Sequence, residues 1–149
     1  MHESKEIRYA IHFLGALQVF IGLTAIAGGL GLVADPSGTK MHIPLEWLSN
    51  SPFFNYFVPG LVLLIVNGVG NFFAGIVTFL RNRYAGNIAV ACGTFLVLFI
   101  LIEVWFIGAQ SLLQPLYLLL GLTELVLGLM LRKLAFTVPA LRRQAATKI

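Results

Sequence analysis

The chain has 149 residues, of which 58% are hydrophobic and only 11% charged, with a mean hydropathy of +0.90. A soluble domain carries about a quarter charged residues; too few polar side chains remain here to cover a water-facing surface, so lipid must solvate much of the exterior. The net charge of +4 raises the question of nucleic acid, and the lone Cys92 excludes an internal disulfide framework or chemistry that needs a cysteine pair.

Spanning a bilayer core of about 30 Å takes about 20 mostly apolar helical residues. Four stretches qualify: 9–33, 58–80, 85–107 and 114–134. The expectation is an all-α polytopic membrane protein, one transmembrane domain over 1–149 built as an antiparallel, left-handed four-helix bundle. The first stretch follows Lys5 and Arg8 in the manner of a signal peptide, but it is longer than the 7 to 15 residues of a signal core, and Leu32 suits a cleavage site poorly.

The basic residues set the direction. Lys5, Arg8, Arg81, Arg83, Arg132, Lys133, Arg142, Arg143 and Lys148 fall on one side, and only Lys40 on the other. The positive-inside rule then predicts both termini in the cytoplasm and a multi-pass protein of the cytoplasmic (inner) membrane. The basic surplus becomes topology information, and nucleic acid is not an expected partner.

Between the first two spans, 35–57 opens with Asp35-Pro36-Ser37-Gly38, a turn signature. Trp47, Phe53, Phe54 and Tyr56 then suit the outer interface, with Pro44 and Pro52 bounding a short amphipathic turn. That segment reads either as an anchor or as a lid over an outward-facing cavity. Arg81–Tyr84 and Gly108–Leu113 are tight connections, making the last three helices sequential antiparallel neighbours. The tail, 135–149, mixes Phe136, Val138 and Leu141 with basic residues and is expected to lie along the inner leaflet or fray.

A recurring figure links the helices: Gly15, Gln18 and Gly22; Gly68, Asn71 and Gly75; Gly121, Glu124 and Gly128. Positions i, i+3 and i+7 share a helical face, so each polar side chain lies on a face made shallow by two glycines. Gly29 extends the spacing in the first helix, and Gly86 and Gly93 give the third the same sevenfold step. Glycines at that interval permit close backbone approach in a left-handed bundle. The polar residues then serve as glue between helices, or line a cavity.

Glu124, Asn67 and Thr24 fall near the bilayer midplane, with Asn71 and Gln18 about one to two turns nearer the cytoplasm. They are expected to form one hydrogen-bonded cluster centred on Glu124, because an unpartnered carboxyl in hydrocarbon costs several kcal/mol. The interiors of the spans hold no Lys or Arg to neutralise Glu124, so it is expected to be protonated at neutral pH or reached by water. Glu103, beside Trp105 near the outer end of its helix, reads equally as an anchor or a functional group. His12 reads as a satisfied interfacial histidine and Cys92 as a packing residue. No spacing of His, Cys and carboxylates suits a metal, and no nucleophile with a base is evident, so neither a cofactor nor a catalytic residue is expected.

The run Gly121-Leu-Thr-Glu124-Leu-Val-Leu-Gly128-Leu-Met-Leu-Arg132 resembles the DoxX-like group of small four-span bacterial membrane proteins, whose helices carry Gly-x-x-Glu-x-x-x-Gly before a basic residue. The resemblance implies a four-helix membrane fold and roles ranging from a quinone-linked oxidoreductase subunit to accessory components of redox homeostasis. Three functions compete: a non-enzymatic bundle that pairs with itself or joins a larger membrane complex; a small proton-linked carrier using Glu124, Asn67, Asn71, Gln18 and Thr24; and a lipid or quinone binder using Trp47, Phe53, Phe54 and Glu103. Membrane lipids are partners in all three.

Overall fold

The computed structural model describes the backbone of residues 5–146 and the side chains of residues 5–134. Among the described residues there is no strand, and four helices are each long and apolar enough to cross a membrane. They are α1 (Lys5–Ala34), α2 (Phe57–Phe79), α3 (Ala85–Ile107) and α4 (Leu113–Ala146). Runs rich in Leu, Ile, Val, Phe and Ala build them, and the helix satisfies its backbone internally, as an apolar solvent demands. Pro59 and Pro115 stand within the first turns of α2 and α4, where a missing N–H costs no helical bond. Over Leu63–Val69, α2 departs from α-helical pairing and runs as a π-helix. Its outward faces are apolar: Phe20 and Leu23, Ile65 and Phe73, Leu98 and Leu101, and Leu119 and Val126 are all exposed.

The bounds fall within a few residues of the expected spans, except that α4 continues as a helix to Ala146. The expected separate tail is thus helical backbone over most of its length, about 18 Å beyond Leu134 at 1.5 Å per residue. The side chains of 135–149, Arg142, Arg143 and Lys148 among them, lie outside the described residues.

At one end of the bundle, the basic end, lie Lys5, Arg8, Arg81, Arg83, Arg132 and Lys133. The α2–α3 turn there is closed by a Schellman motif: Arg81 adopts φ +53°, its N–H bonds Thr78 O at 3.0 Å, and Asn82 N–H bonds Val77 O at 3.2 Å. Asn82 Oδ1 then accepts the Tyr84 N–H at 3.0 Å and starts α3.

At the other end, the loop end, residues 35–56 fold over the helix tips. Asp35 Oδ1 accepts the Ser37 hydroxyl and Oδ2 the Lys40 N–H, while Gly38 turns the chain at φ +75°. A 3₁₀ helix, Leu45–Asn50, follows Pro44. Leu48 and Tyr56 bury with Leu32, and Ile43, Phe53, Leu63 and Ile107 pack around them. Tyr56, expected as an interfacial ring, is instead buried: its hydroxyl donates to Pro44 O at 2.7 Å and its N–H to Pro36 O at 2.9 Å. Burial, with smaller contributions from Glu103 and Glu46, raises its phenol above the ordinary pKa and keeps that donor protonated.

Glycine sets the spacing of helices within each hairpin. A Cβ on Gly22 would lie 2.5 Å from Phe72 N, and one on Gly29 2.6 Å from Leu64 N; on Gly86 it would lie 2.6 Å from Arg132 N, and on Gly93 2.7 Å from Leu125 N. All eight glycines singled out by the sequence are buried. The contacts also repeat. Gly15 meets Phe79 as Gly86 meets Arg132; Gly22 meets Phe72 as Gly93 meets Leu125; Gly68 meets Ile26 as Gly121 meets Val97; Gly75 meets Val19 as Gly128 meets Val90. One spacing carries α1 onto α3 and a second carries α2 onto α4, so α1–α2 and α3–α4 are two copies of one glycine-registered hairpin. Between the copies, side chains do the packing: Ile21, Leu96 and Ile100 form a buried cluster with Leu17, Phe99, Tyr117, Leu118 and Leu120 around it.

Two outcomes are expected. Gly22→Ala or Gly93→Ala destabilises the fold by about 1–3 kcal/mol in reversible unfolding from mixed micelles, because backbone cannot yield to the added methyl. Gly70→Ala, whose Cβ meets nothing nearer than Ile65 O at 3.7 Å, is neutral or stabilising by up to about 1 kcal/mol. At the loop end, the Ser37 hydroxyl first and the Lys40 amide next hold the Asp35 carboxyl below the ordinary 3.8. The carboxylate's support of its turn is therefore present above pH 3.8 and is lost as pH falls through the lowered pKa. The Lys40 amide resonance should titrate with a midpoint below 3.8, and a midpoint at or above it refutes the assignment.

Candidate functional site

Glu124 is 0% exposed on α4. Its Oε1 accepts Gln18 Nε2 from α1 at 2.9 Å, and Gln18 Oε1 accepts the Thr78 hydroxyl of α2 at 2.7 Å. Gln18 and Thr78 are 0% and 1% exposed. One amide thus joins three helices and both hairpins, giving with its nitrogen and receiving with its oxygen. A carboxyl and an amide in so apolar a place are tolerable because each meets the other's need, and charge-assisted or mutually polarised bonds of this kind strengthen where water is excluded. Glu124 Oε2 has no hydrogen-bond partner among the described residues.

The expected single cluster divides into three. Gln18 joins Glu124, as anticipated, with Thr78 as a third member. Thr78 escaped the sequence reading although it lies seven residues after Asn71 and three after Gly75, on the same face. Asn67 and Asn71, 1% and 0% exposed, form a separate group in which Asn71 Nδ2 donates to Asn67 O at 3.0 Å. Thr24 belongs to neither: its hydroxyl donates to Phe20 O at 2.8 Å and Ile21 O at 3.1 Å of its own helix. A short hydroxyl reaches its own preceding turn more readily than a neighbouring helix.

Glu103 is occupied at the loop end. Its Oε1 accepts Gln114 Nε2 at 3.1 Å, and the same nitrogen reaches Gly108 O at 3.1 Å, while Gln114 Oε1 accepts Gln110 N at 2.9 Å. Gln114, 3% exposed, is therefore the organiser of the α3–α4 turn and gives Glu103 an anchoring role. Its sequence signal was only its place before Pro115. His12 Nδ1 pairs with Arg8 O at 2.7 Å and its ring meets Phe79 edge-on, which satisfies it locally. Cys92 is half-buried on α3.

Near the loop segment an open apolar depression of about 490 Å³ is lined by Pro36, Pro52, Phe53, Phe54, Phe57 and Val58, with Asn55 as its amide. Phe53 and Phe54 belong to it as a lipid-binding groove would require, but Trp47 and Glu103 do not line it. Among the described residues no group of three or more His, Cys, Asp or Glu is placed to hold a metal ion. No family model, curated protein or solved structure matches the chain.

Gln18→Leu strips Glu124 Oε1 and the Thr78 hydroxyl of their partner at once. It should cost about 1–3 kcal/mol for each group left unmet. Thr78→Val, which leaves the Gln18–Glu124 bond in place, should cost less than Gln18→Leu in the same unfolding assay.

Proposed function

We propose that this chain is a non-enzymatic integral membrane component: a compact four-span bundle whose two hairpins are held in register by the Glu124–Gln18–Thr78 bridge. The carrying observation is that bridge, with its bonds of 2.9 and 2.7 Å between buried side chains. The helices around it also touch closely. Gly121 and Gly128, which flank Glu124, meet Val97 and Val90 of α3, with built-Cβ distances of 3.1 and 2.8 Å. A closely packed setting is what helix-to-helix glue requires, and it suits interhelical hydrogen bonding of about 1 kcal/mol per bond in lipid.

In this reading the basic end faces the cytoplasm of a bacterial inner membrane, both termini lie inside, and the bundle is left-handed. The exposed apolar faces meet lipid, and they also offer the surface on which a second copy or a larger membrane complex would seat. The DoxX-like resemblance belongs to the same proposal, and its roles, from a quinone-linked oxidoreductase subunit to accessory components of redox homeostasis, include membership of a larger membrane complex.

One observation favours a second reading. Glu124 Oε2 lacks a hydrogen-bond partner among the described residues, as an oxygen that takes up and releases a proton in a carrier would. Glu124→Gln separates the two, since it keeps an acceptor for Gln18 and removes titration. In proteoliposomes loaded with a pH-sensitive dye under an imposed pH gradient, the structural reading expects wild type and Glu124→Gln to leak protons at the rate of protein-free vesicles, with equal unfolding midpoints within about 1 kcal/mol. A wild-type flux that Glu124→Gln abolishes overturns it in favour of the carrier.

A further inference from the structure

The two hairpins match in their glycine contacts, so their differences stand out. Register places Asn71 where the second hairpin has Glu124, and Asn67 where it has Leu120. Leu120 packs on the apolar cluster of Ile21, Leu96 and Ile100, and α4 is α-helical there. A helix of this design therefore needs no polar group at that position to pack. The first hairpin has instead a carboxamide in a seven-residue π-helical stretch, Leu63–Val69, with a second carboxamide one turn later. π turns within α-helices recur at functional sites.

Asn67 Oδ1, Asn67 Nδ2 and Asn71 Oδ1 have no hydrogen-bond partner among the described residues, at 1% and 0% exposure. Such groups each cost about 1–3 kcal/mol if left unmet, so their place is stable when something meets them. The set is two acceptors and one donor. A guest must therefore give two hydrogen bonds and accept one. A bare cation suits the two oxygens and is repelled by the amide N–H₂. A larger organic guest has no room beside them: a Cβ on Gly68 would lie 2.8 Å from the Ile26 side chain and 3.0 Å from its backbone nitrogen, and one on Gly22 2.5 Å from the Phe72 backbone nitrogen. Water has two donors and two acceptors and is the smallest species that satisfies all three atoms.

We propose that the Asn67–Asn71 carboxamide pair, held by the π turn of α2, is an internal binding site for water about midway along the helix. The site is independent of the Glu124 bridge, and its test reads water at named side chains without reference to transport or assembly. The full chain, with isotope-labelled Asn, Leu and Ile, is reconstituted in lipid bilayers and probed by solid-state NMR in which magnetisation starts on water protons. The Asn67 and Asn71 side-chain amides should receive it several-fold faster than the side chains of Leu14 and Ile21, which are equally buried at 0% exposure. In Asn67→Leu, which installs the residue found in the second hairpin, transfer to the Asn71 amide should fall to the Leu14 and Ile21 rate. Equal rates at all four side chains in the wild-type protein overturn the proposal, as does transfer to the amides that arises from lipid acyl protons alone. The wild-type measurement decides the matter even if Asn67→Leu does not fold.

Discussion

Glycine lets the helices of each hairpin approach backbone to backbone. Where lipid surrounds a helix, its tails are as apolar as leucine and supply no hydrophobic force for helix pairing, so association depends on how near two helices can come. Gly22 and Gly29 bring α1 against α2, and Gly86 and Gly93 bring α3 against α4, at distances that would put a Cβ 2.5 to 2.7 Å from a neighbouring backbone nitrogen. Dispersion between packed atoms is small for each pair and large in sum, and this approach maximises it. Everything else in the fold accommodates that spacing. The Schellman turn at Arg81 connects the two glycine-packed pairs in a few residues, and the loop over the opposite end covers what the α1–α2 pair leaves open there.

The duplication gives the bundle two kinds of interface. Inside a hairpin, glycine lets backbones touch and leaves little space for side chains. Between hairpins, larger side chains meet, Ile21 against Leu96 and Ile100, and this is where the Glu124 carboxyl crosses to Gln18. Apolar packing between smooth helices has many near-equal registers. A buried hydrogen bond has one, because a one-residue slip leaves both partners unmet at a cost of a few kcal/mol. The polar bridge therefore belongs at the interface that glycine does not already define.

The hairpins also differ at matching positions in a consistent way. Equivalent positions hold Asn71 and Glu124, Gln18 and Ala89, Asn67 and Leu120. The second hairpin contributes an acid and an apolar surface. The first contributes the amide that receives that acid, together with a π turn carrying one further carboxamide, Asn67, and a second, Asn71, one turn later. Away from the loop end, where Gln114 holds Glu103, the buried polar side chains lie on α1 and α2 with the Glu124 carboxyl reaching in from α4, an arrangement in which one hairpin presents partners and the other supplies the group that needs them.

Much of this was legible in the sequence. Composition and run length dictated four helices long and apolar enough to cross a membrane, because hydrocarbon admits few alternatives to a self-satisfied helix. The sevenfold glycine step identified nine packing positions, Gly29 among them, since helical periodicity places such residues on one face whatever the partner, and it missed Gly60, which packs on Leu32. Glu124 and Gln18 stood out because polar groups in apolar runs are costly. What periodicity cannot supply is which faces meet. Only the tertiary structure decided that glycines pack within hairpins, that Gln18 bridges to Glu124 while Asn67 and Asn71 stand apart, that Thr78 joins the bridge, that Tyr56 turns inward under the loop, and that Gln114 holds Glu103. Each of these depends on distances between residues far apart in the chain, and a face is a property of one helix whereas a contact belongs to two.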